Sequence, residues 1–444
     1  MPARLPYPFP GMLLRGWIRK GIPKTVVAIL AVGWAAMSWN QYHSFSVEEM
    51  GVDGEVILQY YDREIRLLEA SDRANSYQEW MFGEYDPDEW LLDSEELIEE
   101  KYLDATGDEG ERLLDCIDYR LTGDTDSVNF SDDPDYLAEV KDWLITGGDE
   151  QRCWHFEMYL ALTDDPEITE IYRSQNDQLM WRVTAVSILY DSLFILGVAA
   201  AIFCFVRRNK QAPSVPRIAR SWAPSTLIGV FFAANLLLDH WFDVAGYIYD
   251  LQEILFGWWL TYPVYEFLWR SFPAFCLIFF FLKWPRNAWK TFGLSKPVHI
   301  PLLIAAFGMV SIAEYALFYF APVTDTDPTD FLDSATVDTY YMLTTLFTSV
   351  VLAPVFEEIV FRGFLFQGLR GKIGTLWAGV VSTFLFALIH TQYDFWGWVS
   401  VGITGAAAAF LVWRTGSLKT AIALHALTNL LITGNVYLHY QLPL

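Results

Sequence analysis

The sequence predicts an all-α fold, a polytopic bundle of about nine transmembrane helices that carries one acidic, mostly helical soluble insert. Hydrophobic residues make up 53% of the 444 residues and aromatic residues 17%, while only 19% are charged. Apolar runs close to the length of about 20 residues that a helix needs to cross a bilayer recur along the chain. Acidic residues concentrate between the first two runs, because residues 41–180 hold 39 of the 54 acidic and 9 of the 30 basic residues, a net charge of −30.

This charge distribution limits the classes of partner. The whole chain carries a formal net charge of −24, which argues against nucleic acid, because phosphate binding needs a basic surface. The residues outside 41–180 carry a net charge of +6, so the insert is an acidic soluble domain within a mildly basic membrane protein. The composition also excludes the disordered, collagen-like and disulfide-scaffold classes.

The first two apolar runs set the expected orientation of the chain. The run at 25–39 follows four basic residues as in a signal peptide, but no small-residue cleavage site follows it. We therefore expect an uncleaved anchor with a cytoplasmic N-terminus. The run at 183–206 ends in the basic segment 207–210. Since basic flanks face the cytoplasm, the acidic insert at 41–180 is expected outside it.

Seven further apolar runs complete the expected bundle, with basic residues at alternate ends. They lie at 224–238, 258–282, 298–321, 339–369, 373–390, 395–413 and 417–436. The run at 339–369 would measure about 46 Å as one straight helix, too long for a single crossing, so we expect a bend at Pro354.

The expected protein is a multi-pass integral protein of the cell membrane with its C-terminus outside. Its parts are a cytoplasmic segment with the first anchor at 1–40, the acidic domain at 41–180, transmembrane helices without an assigned role at 181–295, and a C-terminal core at 296–444.

The acidic insert has a helical pattern of its own. Short amphipathic stretches alternate with Gly-Asp and Asp-Pro turns, and a few residues recur at an offset of 40. The recurring residues are Thr106, Gly107, Arg112 and Tyr119 against Thr146, Gly147, Arg152 and Tyr159. A period near 40 is typical of paired-helix repeats, and a small irregular helical domain is the alternative. Cys116 and Cys153 lie in this insert, where a location outside the cytoplasm would permit a disulfide bond.

Ionisable residues inside the apolar runs are candidate functional positions, because a charge in a bilayer is costly without a partner or a cavity. Asp191 and Glu314 occur singly. Glu266 and Arg270 stand four residues apart, where a local ion pair is the simplest interpretation. We expect each of these residues, taken alone, to be structural.

The last runs carry a denser set of polar residues. These residues are Glu357, Glu358 and Arg362 in one hydrophobic stretch, His390 at the end of the next, and His425 and Asn429 in the final run. Glu358 and Arg362 share a helical face, as do His425 and Asn429. Two carboxylates, a guanidinium, two imidazoles and an amide are therefore expected to converge inside the membrane. Their depths along straight helices agree only roughly, so convergence needs tilted or interrupted helices.

Such a set fits peptide hydrolysis by two routes. A buried glutamate beside a histidine can activate water as a general base, while a second histidine and an amide donate to the developing oxyanion. Glutamate and histidine also bind zinc, and the candidate metal ligands are Glu357, His390 and His425. The sequence lacks the HExxH, GxSxG and GxGD motifs of other protease classes.

Three motifs in order resemble the CPBP family of intramembrane proteases, the CAAX prenyl protease and Abi group. That family carries EExxxR, FxxxH and HxxxN on late transmembrane helices, and this chain has them at 357–362, 386–390 and 425–429. The resemblance covers roughly 300–436, so the core at 296–444 is expected to be a protease core, and the acidic insert lies outside it. Zinc-assisted and metal-free glutamate mechanisms both stay open.

The resemblance also implies roles for the catalytic residues. These are Glu357 as the water-activating base with His390, Glu358 and Arg362 as supporting groups, and His425 and Asn429 as the oxyanion site. The expected partners are a membrane protein or peptide substrate, the lipid bilayer, and a protein partner for the acidic domain. The alternative is a non-catalytic, immunity-type membrane scaffold or receptor whose acidic domain binds a partner outside the cytoplasm.

Overall fold

The computed structural model describes residues 20–44, 54–71, 73–76, 78, 87–125, 131–147, 151–206, 222–237, 267, 270–282, 290–320, 339–390, 393 and 395–440. All regular elements in these ranges are helical, as the all-α prediction requires. The chain divides into two compact units. The acidic unit comprises Val47–Asp191, Asp325–Leu343 and Thr433–Leu444, and the membrane unit comprises Met1–Ser46, Ser192–Thr324 and Thr344–Ile432.

The first helix of the chain, α1 (Lys24–Ser44), belongs to the membrane unit. Short helices and the first part of one long helix then form the acidic unit. In chain order these are α2 (Gly54–Ser71), α3 (Pro87–Leu97, continued by a π-helical turn at Ile98–Tyr102 and by Leu103–Thr106), α4 (Asp108–Thr122), α5 (Pro134–Thr146), α6 (Cys153–Thr163) and α7 (Pro166–Val206).

Local sequence explains where several of these helices begin and end. The Asp133 side chain caps α5 by accepting a hydrogen bond from the backbone N–H of Asp135. Pro134 occupies the first turn, where its missing N–H costs no hydrogen bond. Gly123 ends α4 in the left-handed conformation, with a φ of 69°, which glycine adopts without strain.

Two successive pairs of helices end at positions separated by nearly the same offset, 40 residues, as the recurring residues. Helices α3 and α5 end at Thr106 and Thr146, while α4 and α6 end at Thr122 and Thr163. Arg112 lies within α4, whereas Arg152 precedes α6 as its N-cap. The helix ends therefore agree with a paired-helix repeat, and the recurring residues agree with it only in part.

Ion pairs lie among the apolar side chains in the core of the acidic unit. Asp62 accepts a 3.0 Å hydrogen bond from Nε of Arg66, which also donates to Asn176 of α7. Glu157 of α6 accepts two hydrogen bonds from Arg120 and one from Tyr172. Because each of these buried charges has a partner, the pairs hold α2, α4, α6 and α7 in one arrangement.

Both cysteines of the acidic unit are buried and free. The disulfide bond that the sequence permits between Cys116 and Cys153 is therefore not formed in this structure. Burial raises the pKa of both thiols, and Sγ of Cys116 donates to Oε2 of Glu157 at 3.4 Å.

The membrane unit contains α1, the second part of α7, and the remaining helices. These are α8 (Pro224–Leu237), α9 (270–282, ending in a π-helical turn at Ile278–Leu282), α10 (Ile300–Phe320), α11 (339–373), α12 (Thr375–Leu388), α13 (Phe395–Thr415) and α14 (Leu418–Tyr440).

Within the described ranges, four helices are long and apolar enough to cross a membrane. They are Pro166–Phe203, Ile300–Leu317, Leu343–Ile373 and Phe395–Thr415. Three shorter apolar helices, Lys24–Ala36, Pro224–Leu237 and Thr375–Leu388, coincide with further predicted runs. The first part of the run at 258–282 lies mostly outside the described residues. The number of nine crossings therefore stays a prediction.

Glycine allows two of the membrane helices to cross closely. A Cβ atom on Gly197 of α7 would overlap the Cα of Gly308 of α10, and the reverse substitution would overlap the backbone at 197. Small residues let backbones approach in this way in membrane proteins. Helix α10 also packs against α13, where the hydroxyl of Ser400 hydrogen-bonds the carboxyl group of Glu314.

Helix α11 interrupts its α-helical geometry twice. It is α-helical at Thr339–Phe347, Ala353–Glu358 and Gln367–Ile373, and π-helical at Thr348–Leu352 and Ile359–Phe366. Pro354 lies in the first turn of the middle α-helical segment, directly after a π-helical turn. The structure thus describes a wide helical turn directly before this proline, which accommodates the missing N–H, while the expected bend at Pro354 stays a prediction.

Candidate active site

The centre of the site is a buried ion pair that joins α11 to α14. Glu358 and Arg362 are fully buried, and Nη1 of Arg362 donates to Oε1 of Glu358 at 2.9 Å. The same oxygen lies 3.3 Å from Nδ1 of His425. Since an ionised carboxylate only accepts, Nδ1 of His425 is the donor in this contact. Oε2 of Glu358 and two nitrogens of Arg362 have no hydrogen-bond partner among the described residues.

The ring of Phe386, the first residue of the FxxxH motif, lies at the middle of the cluster. The guanidinium carbon of Arg362 lies 4.1 Å from the centre of this ring, a cation–π contact. The rings of His390 and His425 lie 5.0 and 5.5 Å from it. A Cβ atom on Gly405 of α13 would come within 2.9 Å of the phenyl ring and 2.8 Å of Arg362, so this glycine leaves room for the pair.

His390 follows the end of α12, and three contacts fix its position. Nδ1 lies 2.8 Å from the carbonyl oxygen of Phe386, which can only accept, so Nδ1 carries a proton. The neutral ring then has an unprotonated Nε2, which is the form a base requires. The indole N–H of Trp398 donates to the His390 carbonyl at 2.7 Å, and the ring of Tyr393 stacks parallel to the imidazole.

Glu357 has a different set of neighbours from Glu358, because adjacent residues of a helix point in different directions. Its Oε1 lies 3.4 Å from Nη1 of Arg270 in α9. Its Oε2 is buried without a partner among the described residues. Glu357 also lies close enough to His390 to interact with it electrostatically. Glu266, the expected partner of Arg270, lies outside the described residues.

Asn429 anchors α14 to the first π-helical turn of α11. Ala353 donates its N–H to the carbonyl of Thr348, five residues earlier, and Pro354 has no N–H to continue this pattern at Ser349. The side-chain amide of Asn429 donates to the Ser349 carbonyl at 2.7 Å. This asparagine therefore compensates for a hydrogen bond that the proline cannot make.

The donor atoms do not form a metal site of the expected kind. No group of three or more His, Cys, Asp or Glu side chains within the described ranges is close enough to hold a metal ion. Each histidine uses its Nδ1 in a contact, with Phe386 for His390 and with Glu358 for His425, and this leaves its Nε2 as the nitrogen that a metal would need. Because the described side chains do not form such a group, the positions of Glu357, His390 and His425 do not fit a zinc site in this arrangement.

The structure thus brings four of the six predicted site residues together through direct contacts or through Phe386, namely Glu358, Arg362, His390 and His425. Glu357 lies within electrostatic range of His390. Asn429 lies apart from this cluster in its contacts, because its described contact is with a backbone carbonyl. Sequence reasoning missed the roles of Arg270, Trp398 and Ser349. The charge of Arg270 within an apolar run was visible, but nothing in the spacing pointed to Glu357, which lies 87 residues away.

The fold and the site define an integral membrane protein with a buried carboxylate, guanidinium and imidazole cluster. Residues 339–431 match the family model Type II CAAX prenyl endopeptidase Rce1-like. This range contains all three motifs, and the match supports the resemblance to CPBP-family membrane proteases, which are hydrolases. The acidic unit lies almost wholly outside the matched range.

A sequence relative also covers part of the chain. An "Uncharacterized 24.3 kDa protein" of Escherichia coli is 23% identical over 186 residues, which are 41% of this chain and 84% of the relative. No solved structure matches the chain.

Proposed function

We propose that the protein is an intramembrane endopeptidase that cleaves a membrane-associated protein or peptide with a water molecule activated by Glu357 and His390. The observation that carries this proposal is a buried carboxylate oxygen of Glu357 within electrostatic range of the imidazole ring of His390. Oε2 of Glu357 is buried and unpaired by the described residues. Because Nδ1 of His390 contacts a carbonyl oxygen, the Nε2 of the neutral ring is the nitrogen that can accept a proton.

The proposed reaction follows from these two groups. Glu357 takes a proton from water, and the water oxygen attacks the scissile carbonyl carbon. The carbonyl π electrons move to oxygen and form an oxyanion. When this intermediate collapses, the C–N bond breaks and the proton held by Glu357 passes to the leaving amine. His390 orients the water through Nε2.

Glu358, Arg362 and His425 support this reaction by holding the helices of the site together. The carboxylate of Glu358 receives hydrogen bonds from both other side chains. These contacts fix α11 against α14, and the contacts of Phe386 with Arg362 and His390 tie the end of α12 to the same cluster. The cluster would thereby hold Glu357 and His390 in position, and misplacement by about 1 Å can cost roughly a hundredfold in rate.

The Rce1-like match makes a prenylated CAAX peptide the first substrate to test. Purified protein in proteoliposomes would be given a fluorogenic peptide with and without the lipid group. We expect cleavage by the wild type and loss of several orders of magnitude in kcat for Glu357→Gln and His390→Ala. Glu314→Gln is the matched control, since it removes an intramembrane carboxylate outside the cluster. Wild-type turnover by a folded Glu357→Gln variant would refute the mechanism.

We further propose that the acidic domain lies outside the cytoplasm and takes part in substrate or partner choice. Its net charge of −30 would attract basic segments and repel anionic head groups, more weakly as salt rises. A cytoplasm-specific reporter fused after Asp124 should be inactive, and an active reporter would reverse the orientation.

A further inference from the structure

The indole ring of Trp398 joins the candidate active site to an apolar cavity. Its N–H donates to the carbonyl oxygen of His390 at 2.7 Å. The ring also lines a cavity of about 690 Å³ between α12 and α13, whose wall includes Ala387, Gly402 and Trp413. Trp398 therefore contacts the backbone of a proposed catalytic residue, although it belongs to none of the three motifs.

The carbonyl group of His390 closes a turn beyond the end of α12. The helix ends at Leu388, and the carbonyl groups in the last turn of a helix lack intrahelical donors. The N–H of His390 donates to the Ala387 carbonyl at 3.0 Å, and the N–H of Tyr393 donates to the His390 carbonyl at 3.2 Å. Trp398 adds a shorter hydrogen bond to the same carbonyl from the first turn of α13. This bond ties the turn that contains His390 to the neighbouring helix.

The imidazole ring of His390 follows the position of this turn, because the ring is bound to the end of α12 and to the turn itself. Its Nδ1 lies 2.8 Å from the carbonyl oxygen of Phe386, and the ring of Tyr393 lies parallel to it at a centre-to-centre distance of 6.1 Å. Glu357, with which the imidazole interacts electrostatically, belongs to a different helix, α11. A shift of the turn relative to α11 would therefore change the distance between Nε2 of His390 and the carboxylate of Glu357.

We propose that Trp398 is a positioning residue for the hydrolysis. Its indole N–H holds the turn at the end of α12 and thereby directs Nε2 of His390 towards the water that Glu357 activates. Trp398 acts through His390 and does not contact the reacting atoms. This inference rests on the proposed function of Glu357 and His390.

The test removes the N–H of Trp398 and keeps an apolar ring in its place. With a fluorogenic prenylated CAAX peptide and equal amounts of folded protein in proteoliposomes, Trp398→Phe should lower kcat by about ten- to a hundredfold. KM should stay near that of wild type, because the interaction lost is one that serves the chemical step. Trp413→Phe is the matched control, since it makes the same change in the wall of the same cavity, and it should leave kcat unchanged. Benzothienylalanine in place of Trp398 exchanges the N–H for sulfur in a ring of nearly the same shape. It should reproduce the loss, and it covers the case in which Trp398→Phe does not fold.

A second measurement follows the position of His390 without using activity. Diethyl pyrocarbonate modifies unprotonated imidazole nitrogens, and mass spectrometry of the digested protein reports each histidine separately. In the Trp398 variants His390 should be modified faster than in wild type, because the turn is less restrained, while His425 should be modified at the wild-type rate. Trp413→Phe should change neither rate.

Three results would overturn the proposal. They are a wild-type kcat in a folded Trp398 variant, a lower kcat with an unchanged rate of His390 modification, and equal losses of kcat in the Trp398 and Trp413 variants. Failure of the hydrolase function would look different, since wild-type protein would then leave the peptide intact. The modification rates would still show in that case whether Trp398 holds His390 in place.

Discussion

The two adjacent glutamates of α11 differ in almost every contact they make. Glu358 is fully buried and receives hydrogen bonds from Arg362 and His425, whereas the Glu357 side chain is 13% exposed and contacts Arg270 from another helix. A helix turns about 100° per residue, so neighbouring side chains meet different surroundings. These surroundings are the reason why we propose a structural ion-pair role for Glu358 and the role of a base for Glu357.

Removal of the Glu358 charge should act mainly on the stability of the protein. Its effect on the chemical step in the folded protein should be smaller. Glu358→Gln leaves the guanidinium of Arg362 buried without a counter-charge, and breaking a buried pair in this way costs about 3–5 kcal/mol. We expect a clear drop in Tm in detergent, measured by intrinsic tryptophan fluorescence. Glu314→Gln should shift Tm much less, because it leaves no buried cation behind. A Glu358→Gln variant as stable as wild type would contradict the structural role.

Glu109 in the acidic unit should make its stability depend on pH. Burial opposes ionisation of this carboxyl group, but hydrogen bonds from His155 and Trp154 lower its pKa from 4.5 to about 2. A lowered folded-state pKa gives stability that is complete above about pH 4.5 and is lost as pH falls towards about 2. We expect Glu109→Gln to lower Tm at pH 7 and to flatten the decline below pH 4.5. Parallel pH profiles for variant and wild type would exclude this contribution.

At the level of helices, the crossing of α7 and α10 depends on two glycines in contact. Gly308→Ala places a methyl group against the backbone at Gly197, and overpacking of this kind costs about 1–3 kcal/mol. The expected result is a lower Tm in detergent with normal expression. Gly402→Ala in α13 is the control, because its added Cβ meets no atom within 4 Å. Equal Tm values for the two variants would show that the crossing is looser than described.

Hydropathy predicted the positions of the four helices that are long and apolar enough to cross a membrane, because apolar composition over about 20 residues is a local property. The approximate helix ends of the acidic unit were also predictable from Gly and Pro. The π-helical turns of α11 were not predictable, since they depend on which backbone carbonyl accepts the hydrogen bond of each N–H. The pairing of Arg270 with Glu357 was equally hidden, because long-range contacts leave no trace in the spacing of one sequence.

For the whole molecule, the family match and the acidic charge fall on different parts of the chain. The match covers residues 339–431, and the charge lies within 41–180. We therefore expect the chemistry to survive deletion of residues 45–178 with a short flexible linker in their place. The deletion should cleave a generic membrane peptide at a rate similar to wild type and change the preference among natural substrates.

Salt titration separates an electrostatic role of the acidic domain from a role in solubility. If the domain attracts basic substrates, raising the ionic strength should weaken the preference of the wild-type protein for these substrates. It should have little effect on substrate preference in the deletion variant. Complete loss of activity in a folded, well-expressed deletion would mean that the acidic domain helps to build the site.

The π-helical turn at Thr348–Leu352 has a consequence for insertions and deletions in α11. A hydrogen bond that spans five residues instead of four accommodates one additional residue within the turn. The side chains before and after the turn therefore keep the directions that they would have in a regular helix with one residue fewer. A chain shortened by one residue here could close into a regular α-helix and still direct Glu357 and Glu358 to their present neighbours. Such a chain would lose the wide turn whose carbonyl binds Asn429. Length variation at this turn would thus alter the contact that attaches α14 to α11, while the orientation of both carboxylates would stay unchanged.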